Sequence, residues 1–136
     1  AMKFAMNYPS KVKALILNGG NLNPKGVKRT TQIPIEIGYK IAKRFASKSP
    51  DAKRNAEMLR LMVSEPNIEL NELSKITAPT LVICGRNDMI KESHTKKIAE
   101  NIPHAKLSII HGNHFIANKR YITFNKTVED FLRTIH

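Results

Sequence analysis

Cysteine occurs once, at Cys84. No internal disulfide framework is possible, and a single thiol inside an apolar run suits a small core residue in a reducing cytoplasm. Long apolar runs are also missing: no stretch approaches the roughly 18 residues that a membrane span requires. The first residues, Ala1-Met2-Lys3-Phe4, lack the apolar centre and small-residue cleavage site of a secretory signal. A cytoplasmic location without membrane contact is the expectation. Acidic residues are scarce, 11 against 23 Lys and Arg, for a formal net charge of +12. Such an excess raises the question of a polyanion partner. The basic residues are nevertheless spread over every segment. No aromatic RNA-binding motif, zinc-finger spacing or continuous basic block accompanies them, so nucleic acid is not an expected partner.

What remains is ordinary for a globular chain. Its 136 residues are 41% hydrophobic and 25% charged, enough for one domain or the larger part of one. Three short apolar runs, Val12 to Leu17, Leu81 to Cys84 and Lys106 to Ile110, read as buried strands closed by turn signals. Helical patterns alternate with them. A helix over residues 2–8 stops at Pro9. Ile33, Ile37, Ile41 and Phe45 repeat every fourth residue on a helix, and Ser49-Pro50-Asp51 opens a second with the stripe Ala52, Ala56, Leu59 and Val63. A short helical turn over residues 71–76 leads into the second strand. Residues 92–102 form a helix with Ile98 and Ile102 inward, and a closing helix from about Asn118 carries Tyr121, Phe124, Val128, Phe131 and Ile135. This alternation is that of a parallel sheet covered by helices, an α/β fold. The helical pair is too long for an ordinary crossover and reads as an insertion.

The chemistry-bearing residues follow the strands. Asp88 ends Gly85-Arg86-Asn87-Asp88 after the second strand, and His114 lies in His111-Gly112-Asn113-His114-Phe115 after the third. Parallel strands put their C-terminal ends on one edge, where open α/β sheets place their chemistry. The plainer reading of Asp88 is a turn aspartate bonded to its own backbone; that of His114 is a loop histidine packed by Phe115. His111 and His114 lie three apart but have no third ligand at matching spacing, so no metal is expected. His94, His104 and His136 sit among polar residues and read as surface positions.

These segments resemble the C-terminal portion of an α/β-hydrolase. Residues 5–17, AMNYPSKVKALIL, are similar to the helix end and strand that follow the family's nucleophile elbow. Residues 76–88, ITAPTLVICGRND, resemble the strand and loop that deliver the acid, and residues 111–115 the loop that delivers the histidine. The resemblance implies a partial α/β-hydrolase fold, with core residues 1–23 and 67–136 and a helical cap-like insertion at 24–66. It implies Asp88 as triad acid and His114 as base, in the family's order of nucleophile, acid, histidine. One departure is Asn113, where the family usually has glycine before the histidine.

No Gly-x-Ser-x-Gly occurs, and Ser10, Ser47, Ser49, Ser64, Ser74, Ser93 and Ser108 all lack elbow flanks. The resemblance therefore implies a truncated serine hydrolase for esters, amides or similar bonds, inactive by itself and using no cofactor. A small-molecule substrate belongs only to a full-length form. The exposed edge of the strand Val12 to Leu17 leads to an expectation of homo-oligomers. The alternative is a non-catalytic oligomerising or interaction module, or one part of a split hydrolase.

Overall fold

A computed structural model of the protein describes residues 1–135. The chain divides into two compact units: Ala1–Gly20 with Ile68–His136, and Asn21–Asn67. The first unit is built on three parallel strands, β1 (Leu15–Asn18), β2 (Thr80–Gly85) and β3 (Ala105–Ile110), in the order β1-β2-β3. Leu15 pairs with Thr80 and Thr80 with Ala105, so the three strands start level, while β1 ends opposite Ile83, two residues before β2 and β3.

Every residue of the central strand β2 is buried. That is why its sequence is almost continuously apolar rather than alternating. Leu81 and Ile83 join Ile110, Ile116 and Phe131 in a buried cluster, flanked by Ala14, Ile16, Phe124, Val128 and Ile135. Strand alternation turns Val82 and Cys84 to the opposite face, where they are buried as well. Helix α4 (Glu92–Asn101) packs on β2 and β3 and on the 3-10 turn Leu70–Lys75, with Thr95 and Ile98 inaccessible. Helix α1 (Met2–Asn7) packs against that same turn through buried Met2 and Ala5.

Strand β1 is shorter than the sequence suggests. Residues 12–14 lie outside it, because Pro9–Lys11 forms a 3-10 turn and the ladder can start only where β2 does. Pro79 has no N–H, and its carbonyl accepts from Leu15 N at 2.9 Å to open the pairing. The edge proposed for self-association is therefore that of Leu15–Asn18. Among the described residues β1 pairs with β2 alone.

The closing helix is two helices. Arg120 leaves the helical region (φ −129°, ψ 35°) between α5 (Ile116–Lys119) and α6 (Tyr121–Leu132). No proline or glycine marks this break in the sequence. Tyr121, the first residue of the apolar stripe read for this helix, is exposed, whereas Phe131 is buried.

The second unit is a helical hairpin of α2 (Arg29–Phe45) and α3 (Pro50–Ser64). Ser49 caps α3 by accepting from Ala52 N at 3.1 Å, and Pro50 occupies the first helical turn, where its missing N–H costs nothing. Gly38 on α2 lies against Leu59 on α3. The stripe Ile33, Ile37, Ile41 and Phe45 is exposed, at 42 to 53% for each residue, so its periodicity does not correspond to a buried face. No helix among the described residues is long and apolar enough to cross a membrane.

Candidate active site

Strand pairing continues past the ends of β2 and β3 and so fixes the two loops that carry Asp88 and His114. Arg86 N donates to Ile110 O at 2.9 Å, Asn87 N to Gly112 O at 2.8 Å, and Asp88 N closes a turn onto Gly85 O at 3.0 Å. Gly85 allows this approach: an added Cβ would lie 2.5 Å from the carbonyl oxygens of both Gly112 and Asn113. Gly112 turns the His loop with φ +141°, a region that L side chains rarely occupy.

The arrangement brings the two residues together. His114 Nδ1 lies 2.9 Å from Asp88 Oδ1 across 26 positions of sequence. Asp88 is 2% exposed, while the His114 side chain is 31% exposed. An ionised carboxylate only accepts, so the proton of this bond sits on Nδ1 and Nε2 keeps a lone pair. A base oriented in this way can take a proton from a neighbouring hydroxyl.

The plainer reading of Asp88 is also present in the structure. The same Oδ1 accepts from Ile90 N, two residues on, at 2.9 Å. A solvent-facing turn would satisfy that bond equally well and needs no burial. Oδ2 meanwhile is buried without a hydrogen-bond partner among the described residues. Leaving even a neutral polar group in such a position costs roughly 1–3 kcal/mol in desolvation, and a carboxylate costs more, which a turn alone does not require.

Asn113 takes the place of the glycine usual in the resembling family. Its Oδ1 accepts from Phe115 N at 3.0 Å and pins the turn after His114. No non-glycine residue among those described has positive φ, so the position does not require glycine. The Phe115 ring meets the imidazole edge-on, 5.7 Å between centroids at 83°.

One residue escaped the sequence reading. Gly19, with φ +57°, follows β1 and donates its N–H to Ile83 O at 2.9 Å. An added Cβ there would meet His114 Cε1 at 2.6 Å and Asp88 Oδ2 at 3.3 Å. Its only sequence signal was Gly19-Gly20 at the end of a strand, which reads simply as a turn.

Other candidates lie apart from the pair. His111 and His104 are exposed. His94 is half-buried rather than a surface residue; burial holds its imidazole below the usual range, helped by Lys91 and Lys97. The surface reading of His136 falls outside the described residues. Ser64 and Ser74 donate their hydroxyls to Arg60 O and Asn71 O. No group of three His, Cys, Asp or Glu residues among those described is placed to hold a metal. A cleft of about 510 Å³ in the helical unit, lined by Tyr39, Lys43, Lys53, Glu57 and Arg60 among others, includes neither Asp88 nor His114.

Comparison with known proteins agrees with this frame. Residues 10–125 match the family model described as Serine hydrolase (FSH1). Among solved structures, the meta-cleavage product hydrolase CumD of Pseudomonas fluorescens IP01 is 18% identical, with a TM-score of 0.73 over 99% of this chain and 61% of its own. MGS-M2, an α/β-hydrolase from a Medee basin deep-sea metagenome library, is also 18% identical, with a TM-score of 0.73 over 96% of this chain and 60% of its own. The enol-lactonase of Burkholderia xenovorans LB400 is 16% identical and scores 0.68 over 97% of this chain and 60% of its own. No curated protein matched the chain. The chain thus spans about three fifths of the length of these structures. Three parallel strands flanked by helices form part of an α/β-hydrolase fold, and the chain belongs to the serine hydrolase (FSH1) family.

Proposed function

We propose that Asp88 and His114 are the acid and base of a hydrolytic triad whose nucleophile lies outside these 136 residues. The observation that carries this reading is the 2.9 Å bond between the buried Asp88 carboxylate and Nδ1 of a partly exposed imidazole. Each residue leaves the C-terminal end of one of two adjacent parallel strands, and the acid precedes the histidine in the chain.

In the proposed reaction, His114 Nε2 takes the proton of a nucleophilic hydroxyl as its oxygen attacks the carbonyl carbon of an ester, amide or similar bond. The scissile bond breaks, and the imidazolium returns the proton to the leaving group. Water then repeats the sequence on the acyl intermediate. Asp88 keeps the imidazole in the Nδ1–H tautomer and stabilises its cation.

With neither a nucleophile elbow nor the oxyanion donors that accompany one, the 136 residues alone are proposed to be inactive. Each such donor is typically worth about 100- to 1000-fold in rate. The purified chain is expected to show no turnover of p-nitrophenyl acetate above buffer and no mass gain with a serine-directed fluorophosphonate. Ester turnover that His114→Ala abolishes would overturn the inactivity. The pair itself is tested by 15N-resolved NMR of His114. A low-field Nδ1 proton is expected in the unaltered chain and should vanish in Asp88→Asn; an unchanged signal refutes the assignment.

A second reading has one observation in its favour. Strand β1 pairs on one side only among the described residues, which suits a module that associates through that edge, either with its own copy or with a complementing hydrolase segment.

A further inference from the structure

We propose that Gly19 is a positioning residue for the Asp88–His114 pair: having no side chain, it provides the space in which the imidazole reaches the carboxylate. The inference rests on the assignment of that pair as base and acid and adds a third strand end to the site. Gly19 follows β1 directly, and its N–H extends the β1–β2 ladder to Ile83 O at 2.9 Å. Its backbone is therefore anchored at the moment it turns into the left-handed region at φ +57°.

The anchored backbone lies against the ring. A Cβ on Gly19 would stand 2.6 Å from His114 Cε1, 2.7 Å from Nδ1 and 3.3 Å from Asp88 Oδ2. Carbon–carbon contacts settle near 3.5–4.0 Å, so the first two are strong overlaps. The crowded Nδ1 is the atom that bonds Asp88 Oδ1. Because the backbone is tied to β2, the ring is the part free to yield, and any swing away from Gly19 takes Nδ1 off the carboxylate. Gly20 provides the contrast: its Cβ would meet Leu17 Cβ at 3.6 Å, an ordinary contact.

The test uses the 15N-labelled chain and the His114 Nδ1 proton. Gly20→Ala should keep the low-field signal. Gly19→Ala and Gly19→Asn should both lose it while far-UV circular dichroism stays unchanged. Asparagine tolerates positive φ yet still brings a Cβ, so the pair of variants separates backbone strain from the overlap. A thermal-unfolding cycle gives a second readout. In a His114→Ala background the two closest atoms are gone, and the fall in Tm caused by Gly19→Ala should shrink to about half or less, because neighbouring residues couple. A low-field proton retained in both Gly19 variants overturns the proposal, and so does an equal fall in Tm in both backgrounds. Loss of the signal in Asp88→Asn together with its survival in the Gly19 variants would refute Gly19 alone and leave the pair standing.

Discussion

Gly85→Ala should be among the most damaging single-methyl additions in the sheet unit. The new Cβ would lie 2.5 Å from Gly112 O, 2.5 Å from Asn113 O and 2.7 Å from Gly112 C. These are backbone atoms, so no side chain can rotate out of the way and the His114 loop must shift as a whole. That loop is fastened to the Asp88 loop by Arg86 N to Ile110 O and Asn87 N to Gly112 O. Overpacking a tight site costs about 1–3 kcal/mol, and two backbone bonds lost with it add roughly 1 kcal/mol each. A total of about 3–5 kcal/mol is a large share of the roughly 5–15 kcal/mol by which domains are stable. At roughly 3–4 °C per kcal/mol for a chain of this size, Tm should fall by about 10 °C or more. Gly38→Ala is the matched control. It adds the same methyl inside α2, where Leu59 Cδ1 is 3.9 Å away, and should stabilise by up to about 1 kcal/mol through helix propensity. Calorimetry on both variants decides the matter. A Gly85→Ala protein melting within a couple of degrees of the unaltered chain would refute the idea that the two loops are locked face to face.

Two further outcomes are expected. Light scattering of the 136-residue chain at micromolar concentration should give at least a dimer, with β1 edges (Leu15–Asn18) joined; a monomer would count against the open-edge argument. Stability should also decline on acidification through His94, whose folded-state pKa is depressed by burial, Lys91 and Lys97. Above the ordinary value of 6.5 both folded and unfolded forms are neutral there and nothing is lost. As pH falls below that value the unfolded chain binds the proton first, and the loss grows until the folded imidazole is protonated too. Urea unfolding at pH 7.5 and 5.0 should show a smaller drop for His94→Gln than for the unaltered chain; equal drops would refute it.

The parts of the fold that escaped the sequence were those set by distant neighbours. The start of β1 depends on where Pro79 lets β2 begin, more than sixty residues later, so an apolar run beginning at Val12 overstates the strand. Arg120 breaks the last helix without any proline or glycine to announce it, and the apolar stripe that marks the helix begins only after the break, at Tyr121. On α2, the four-residue spacing of Ile33, Ile37, Ile41 and Phe45 correctly marks one face of a helix. Periodicity records that a face exists, not that something covers it, and here that face is exposed while Gln32 is buried. Gly19 was overlooked for a related reason: an absent side chain leaves no pattern, and its contact with His114 is made across nearly the whole sheet unit.

The Asp88–His114 pair was legible because its placement needs only topology. A side chain on the first turn after a parallel strand is delivered to the same edge as its counterpart on the adjacent strand, whatever the intervening helix contains. The register Gly85 to Ile110 puts the two loops side by side, and α4 between them alters neither end point. The short apolar runs therefore carried positional information as well as burial: each fixed where its strand stops and thus where the next polar residue is presented. What topology does not specify is the final ångström of approach. In this chain three residues without side chains stand where a methyl group would crowd the site: Gly19 against the His114 ring, Gly85 against the backbone of the His114 loop, and Gly112 against Ile116 of the following helix. A scaffold of this kind fixes the Asp88–His114 geometry as much through the atoms it leaves out as through the bond at its centre.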